Sequence, residues 1–114
     1  MEVITSITAY PKQEFVLKLE NNEFATMRLY YYSSQQSWYF DIEYKDYINN
    51  GNKVVLSPNA IRHLRHKLPF GIGFLSGGNA EPFELESFTS QKVLMTLLNQ
   101  EDVQELEETI YNVQ

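Results

Sequence analysis

The sequence contains no cysteine, and this absence excludes several kinds of chemistry. Disulfide bonds, thiolate metal sites and a cysteine nucleophile are all impossible in such a chain. The absence does not indicate a compartment, because only the presence of disulfide-forming cysteines would have done so.

Long apolar segments are also absent. No uninterrupted apolar run approaches the roughly 20 residues that a membrane-spanning helix needs. The first residues, Met-Glu-Val-Ile-Thr-Ser-Ile, contain neither a basic leader nor an apolar block of secretory length. We therefore expect a soluble protein made in the cytoplasm, with no membrane span.

Basic residues are scarce, since 15 acidic residues outnumber 9 basic ones and the net charge is −6. Binding to a phosphate backbone requires clustered lysine and arginine, so we expect no nucleic-acid partner. The only basic cluster runs from Arg62 to Lys67. Charge complementarity favours an acidic patch of a partner, or the acidic C-terminal segment of this chain, as its counterpart.

No arrangement of residues indicates catalysis. His63 and His66 lie three positions apart, but the chain has no further histidine to complete a metal site and two arginines flank the pair. Asp41 and Glu43 share one strand face with Lys45, which favours charge pairing over acid–base work. The glycines match no phosphate-binding or dinucleotide-binding spacing. We predict no catalytic, cofactor-binding or metal-binding residues, and hence no enzyme.

The clearest positive signal is the stretch from Gln36 to Lys45, in which apolar and polar residues alternate. Trp38, Phe40, Ile42 and Tyr44 occupy one side of an extended chain. This period of two is typical of a half-buried β-strand. With 43% apolar residues in 114, the composition fits a single domain over residues 1–114.

Similar patterns predict further strands at residues 3–8, 14–19 and 24–32, the first at a sheet edge. Turns of four residues join the second, third and Trp38 strands into a meander. Asn49-Asn50-Gly51-Asn52 carries the strongest turn signal, because Asn-Gly favours positive φ. We predict a mainly β fold, an antiparallel meander forming a small barrel or sandwich. Its core comprises Phe15, Leu17, Leu29, Trp38, Phe40 and Ile42.

The second half of the chain is less regular. Ser57-Pro58 is able to begin a short helix that buries Ile61, Leu64 and Leu68. The glycine-rich residues 69–82 predict a loop or irregular strand, and residues 92–98 fit strand or helix, with strand preferred. Asn99 precedes a C-terminal α-helix at about residues 100–112, with an apolar stripe at Val103, Leu106 and Ile110.

Tyrosine is abundant, and a row of aromatic residues allows a second hypothesis. Tyr30, Tyr31 and Tyr32, with Trp38 and Tyr39, resemble the stacking platforms of oligonucleotide-binding barrels. A ligand-binding module for single-stranded nucleic acid or a glycan is therefore the alternative. Such platforms interleave basic residues with the rings, and along the sequence only Arg28 is near, so core and subunit contacts are the preferred interpretation.

The order of motifs resembles a family of phage tail proteins. Phe15-Val16-Leu17-Lys18-Leu19 comes first, followed by Leu29-Tyr30-Tyr31 and Trp38-Tyr39-Phe40-Asp41-Ile42. A glycine turn at Gly51, then Leu68-Pro69-Phe70-Gly71, and a late apolar strand complete the series. This pattern is similar to the small baseplate plug protein family of cyanophage-type contractile tails. The resemblance covers about residues 13–98 and leaves out the first strand and the terminal helix.

The resemblance implies a structural virion protein in the tail baseplate, near the hub, in several copies and without catalytic residues to carry over. Its partners would be other baseplate or tail proteins and copies of itself. We expect the assembly contacts in the glycine-rich segment and in the helix stripe. These candidates are Phe70, Ile72, Phe74, Leu75, Val103, Leu106 and Ile110.

Overall fold

A computed structural model describes residues 2–5, 7–76, 87–90 and 92–110. The described chain forms two antiparallel β-sheets, of four and three strands, followed by one α-helix. Within these residues, no helix has the length and apolar character needed to cross a bilayer.

The four-stranded sheet is a meander in which sequence neighbours pair. Its strands are β2 (Lys12–Lys18), β3 (Phe24–Tyr32), β4 (Ser37–Tyr44) and β5 (Tyr47–Lys53), in that order. The predicted meander is therefore confirmed. A 3-10 turn at Glu20–Asn22 joins β2 to β3, and Asn22 and Gln36 take positive φ in the first two connections.

From Trp38 to Tyr44 the alternation in β4 matches its burial. Trp38, Phe40 and Ile42 are fully buried, whereas Tyr39 on the opposite side is partly exposed. Leu17 and Leu29 on the neighbouring strands lie in the same core, and Phe15 packs against it at the sheet edge. One face of the meander thus forms half of the core, as period-two patterning requires.

The second sheet has the order β1 (Glu2–Ile4), β7 (Val93–Leu98) and β6 (Gly71–Ser76). The strand predicted at residues 92–98 is confirmed as β7. The first strand lies at an edge as predicted, but it spans only Glu2–Ile4 and not residues 3–8. Phe40 of the first sheet contacts Phe74 of the second, with ring centroids 5.6 Å apart. The sheets face each other without closing into a barrel, so the sandwich is the correct alternative.

The Asn-Gly signal was interpreted wrongly as a turn. The chain reverses directly after Tyr44, in a two-residue turn at Lys45-Asp46, where Lys45 has a φ of 52°. Gly51 lies inside β5, with a φ of 75°, at a register shift opposite β4. Its N–H donates to the Asp41 carboxylate at 2.8 Å. The positive φ of an Asn-Gly pair is therefore used for a β-bulge, which sequence alone does not distinguish from a turn.

The sequence allowed a short helix after β5, but only a 3-10 turn at Arg62–Leu64 forms there. Ile61, Leu64 and Leu68 are nevertheless buried as expected. Ser57 pairs with Phe74 through two backbone hydrogen bonds of 2.9 Å, and the Ala60 N–H donates to the carbonyl of Ile72. Residues 57–60 are therefore held along the free edge of β6, which competes with helix formation from Ser57.

Residues 69–82 were predicted to be irregular, but their first part forms the regular strand β6. At Gly73 a Cβ atom would lie 2.5 Å from Thr96 Oγ1 and 2.6 Å from the carbonyl oxygen of Pro58. The absence of a side chain there permits residues 57–60 to approach the sheet closely. The rest of that prediction, at residues 77–82, lies outside the described residues.

The C-terminal helix α1 spans Gln100–Thr109 and begins directly after β7. The Asn99 side chain accepts a hydrogen bond from the Asp102 N–H, and the Asp102 carboxylate accepts one from the Asn99 N–H. This capping box confirms the predicted start of the helix. The predicted end at residue 112 lies outside the described residues.

Candidate assembly surfaces

The predicted contact residues of β6 lie mainly inside the molecule. Phe70, Ile72 and Phe74 have at most 2% of their surface exposed. Phe74 packs on Phe40, and Phe70 contacts the Tyr44 ring at 5.9 Å, so these side chains join the two sheets. Only Leu75, at 37% exposure, remains available to a partner. In a run of small and apolar residues, the sequence alone does not indicate which side chains face the core.

The apolar stripe of α1 divides between two grooves. Val103 lines one groove together with Arg65 and Phe70. Leu106 and Ile110 line another groove, of about 450 Å³, which Leu75 and Pro58 complete. No residue of α1 is fully buried, and Ile110 is 59% exposed. Leu75, Leu106 and Ile110, which are distant in sequence, therefore form one partly apolar surface, here called the helix groove.

The basic cluster contacts the acidic helix of its own chain. Arg62 donates from Nε and Nη2 to the two carboxylate oxygens of Glu107 at 2.7 and 3.0 Å, and Arg65 approaches the same carboxylate at 3.5 Å. This is one of the two partners that the sequence predicted. The hydrogen bond from Arg62 is the main cause that holds the pKa of Glu107 below its usual value.

This ion pair predicts a specific dependence of stability on pH. Because the pKa of Glu107 is lower in the folded state, its contribution is full above the ordinary value near 4.5 and is lost as pH falls through the folded pKa. We expect Glu107→Gln to reduce the change in unfolding free energy between roughly pH 5 and pH 3, measured by urea titration.

Glu108→Gln is the matched control, because it removes one carboxylate from the same helix without touching the arginine pair. It should retain the stronger acid dependence of the parent protein. Equal acid dependence in Glu107→Gln and the parent would contradict the role given to this ion pair.

The paired carboxylates of β4 are engaged in structural contacts. Asp41 accepts hydrogen bonds from the Tyr30 hydroxyl at 2.9 Å and from the bulge N–H of Gly51. Glu43 accepts from Arg28, which also donates to Glu14 at 2.9 Å. Lys45 was expected to pair on this face, but it binds Glu23 at 2.8 Å because the hairpin turn redirects it. Among the described residues, no group of three metal-binding side chains converges, and His63 and His66 are exposed.

The outer face of the meander displays a cluster of tyrosines. The Tyr30 and Tyr39 rings stack with centroids 6.1 Å apart, and Tyr32 contacts both at 5.4 Å. Partial burial, and then the hydrogen bond to Asp41, raise the pKa of Tyr30 to about 12. Trp38 lies in the core and does not contribute to this surface.

Strand register places two lysines in the same row of the sheet as these rings. Lys12 pairs with Tyr30, Tyr30 with Tyr39, and Tyr39 with Lys53, so the four residues form one row across the sheet. Sequence reasoning recognised only Arg28, because Lys12 and Lys53 are distant along the chain. The pairing of strands, once predicted, would have revealed both lysines.

The fold and these surfaces define a small β-sandwich in which the predicted candidates serve as core, ion-pair or surface residues. The model of the family described as "Cyanophage baseplate Pam3 plug gp18" matches residues 1–100, and the chain belongs to this family. Membership places the protein in the tail baseplate of the virion. The match includes β1, which the motif comparison had left out, and ends at the first residue of α1. No curated protein sequence matches the chain.

Proposed function

We propose that the protein acts as a structural plug of the baseplate by binding neighbouring tail proteins and copies of itself. The observation that carries this proposal is the family match over residues 1–100. The helix groove supports it, because Leu75, Leu106 and Ile110 leave apolar surface exposed beside acidic residues of α1. Surfaces of this kind are used in protein–protein contact.

In this proposal, the contacts to neighbouring proteins involve Leu75 and the α1 stripe Val103, Leu106 and Ile110. Phe70, Ile72 and Phe74 support these contacts from within the core and do not touch the partner. The protein works by assembly and performs no catalysis.

The test combines particle composition with a surface variant. Mass spectrometry of purified particles should find the protein with the tail fraction. The variant Leu106→Glu/Ile110→Glu should remain folded by circular dichroism but fail to enter tails. Ile48→Glu, which adds a charge at another exposed apolar position (54% exposed), is the control and should be incorporated. Absence of the parent protein from purified tails would overturn the proposal.

A second candidate function is favoured by the row Lys12–Tyr30–Tyr39–Lys53. Aromatic rings flanked by lysines are able to bind a single-stranded nucleic acid or a glycan by stacking. The nearby Arg28 is engaged by two carboxylates, which weakens the attraction for phosphate. A titration with oligonucleotides and oligosaccharides, followed by NMR at the tyrosine rings, decides this alternative. Absence of any shift at Tyr30, Tyr32 and Tyr39 would reject it.

A further inference from the structure

The described sheet edges differ in whether they are able to accept another strand. β1 has only three residues, β6 is covered by residues 57–60, and β5 carries the bulge at Gly51. Short strands, covering segments and bulges are the devices by which proteins prevent pairing between edges. β2 is different, because its seven residues pair in continuous register with β3 and no described strand pairs with its other side.

The register of β2 shows which backbone groups face outward. The carbonyl of Pro11 accepts from the Tyr31 N–H, and the Leu19 N–H donates to the carbonyl of Glu23, so odd-numbered residues bond to β3. In an antiparallel ladder, alternate residues direct both polar groups to the same side. The N–H and C=O groups of Glu14, Val16 and Lys18 therefore point away from the sheet.

The side chains of this edge are complementary to themselves. If two β2 strands pair antiparallel with Val16 opposite Val16, each Glu14 lies opposite a Lys18 of the other copy. The same register matches the outward-facing backbone groups of all three positions, which gives about six new hydrogen bonds at two per residue pair. Shifting the register by two residues in one direction places Lys12 opposite Lys18, and Glu14 opposite Val16. Shifting it by two residues in the other direction also separates Lys18 from Glu14.

Burial supports the same pairing. Val16 is 62% exposed, although it lies in the middle of a regular strand. Phe15, on the core face, is only partly buried because it lies at the edge of the sandwich. In the register described, Phe15 lies opposite Leu17 of the second copy, in the closely spaced type of antiparallel pair. Phe15 would then gain cover, whereas Leu17 is already buried in the core.

We infer that the free edge of β2 binds the β2 edge of a second copy, and that the two meanders join into one continuous sheet with Val16 at the two-fold axis. This gives the self-association contained in the proposed function a defined surface. The inference is tested on the purified protein, whereas the proposed function is tested on particles, so failure of one is distinguishable from failure of the other.

The test measures self-association of the full chain by sedimentation equilibrium. The parent protein should reach twice its 13.4 kDa mass as concentration rises. Val16→Pro should remain monomeric, because proline removes an outward N–H that β3 does not use. Val16→Thr keeps the N–H and the β-branched shape, so it is the matched control and should still dimerise.

A charge exchange tests the register. Lys18→Glu alone places two pairs of like charges across the axis and should weaken the dimer by about tenfold or more. Glu14→Lys alone should weaken the dimer as well, partly because it removes the ion pair between Glu14 and Arg28. The double variant Glu14→Lys/Lys18→Glu restores opposite charges and should recover most of the affinity.

Amide exchange supplies an internal control. In the dimer, the amides of Glu14, Val16 and Lys18 should become protected as concentration rises, whereas those of Phe15 and Leu17 are already bonded to β3 and should change little. A parent protein that stays monomeric at millimolar concentration would overturn the inference. A dimer that survives Val16→Pro with unchanged affinity would overturn it too, because another surface would then be responsible.

Discussion

Replacing Trp38 by alanine is expected to lower the free energy of unfolding by about 3–5 kcal/mol, the range for removing a large aromatic side chain from a core. The Trp38 side chain is fully buried and contacts the rings of Tyr31 and Phe88 at 5.3 and 5.5 Å. Phe88 also contacts Phe74 of the second sheet, so the indole supports the junction between both halves of the sandwich. The loss is a large fraction of the stability of an ordinary small domain.

Urea unfolding followed by far-ultraviolet circular dichroism measures this change without relying on tryptophan fluorescence. Tyr10→Ala, at a residue 72% exposed, is the control and should change the unfolding free energy by no more than about 0.5 kcal/mol. If Trp38→Ala prevents folding, Trp38→Phe should fold with a smaller loss. A loss below about 1 kcal/mol for Trp38→Ala would contradict its central place in the core.

Gly73→Ala is expected to cost about 1–3 kcal/mol, the range for overpacking a well-filled site. The new methyl group would meet the carbonyl oxygen of Pro58 and the hydroxyl of Thr96 at contact distances that no Cβ normally has. Since the Pro58 oxygen belongs to the backbone, residues 57–60 would have to move away from β6. The amides of Ser57 and Ala60, which donate to Phe74 and Ile72, should then exchange faster with solvent.

A double-mutant cycle separates this steric effect from a general effect of alanine. Thr96→Ala removes one of the two obstructing groups, so Gly73→Ala should be less costly in its presence, by about 0.5 kcal/mol or more. Purely additive changes would show that the Thr96 hydroxyl does not obstruct the new methyl group. A loss for Gly73→Ala below about 0.5 kcal/mol would show that residues 57–60 are not held as tightly as described.

Local patterns predicted the elements whose residues obey one period. The β4 strand, the meander and the capped helix follow directly from alternation, short polar turns and the Asn99 signal. The interpretation of Asn-Gly as a turn was wrong, because the same backbone preference serves a bulge, and only the pairing with β4 decides between them. The short helix that Ser57-Pro58 allowed does not form, because tertiary hydrogen bonds to β6 outweigh a local capping preference.

The surfaces were harder to predict than the fold. Phe70, Ile72 and Phe74 face the core, which depends on the position of the opposite sheet and not on their own sequence. The pairing of Arg62 with Glu107 was among the predicted alternatives because charge is visible in the sequence. The row of Lys12 and Lys53 beside Tyr30 and Tyr39 was missed, because it exists only through register.

The bulge at Gly51 has a consequence for the proposed pairing of two copies along β2. If two copies join along β2, both outer ends of the combined sheet are β5 strands, and each carries the register shift opposite Asp41. A third copy would find no regular edge to extend, so association ends with a closed pair and does not continue into a fibre. On the proposed pairing, the glycine that permits this bulge would limit association along β2 to two copies.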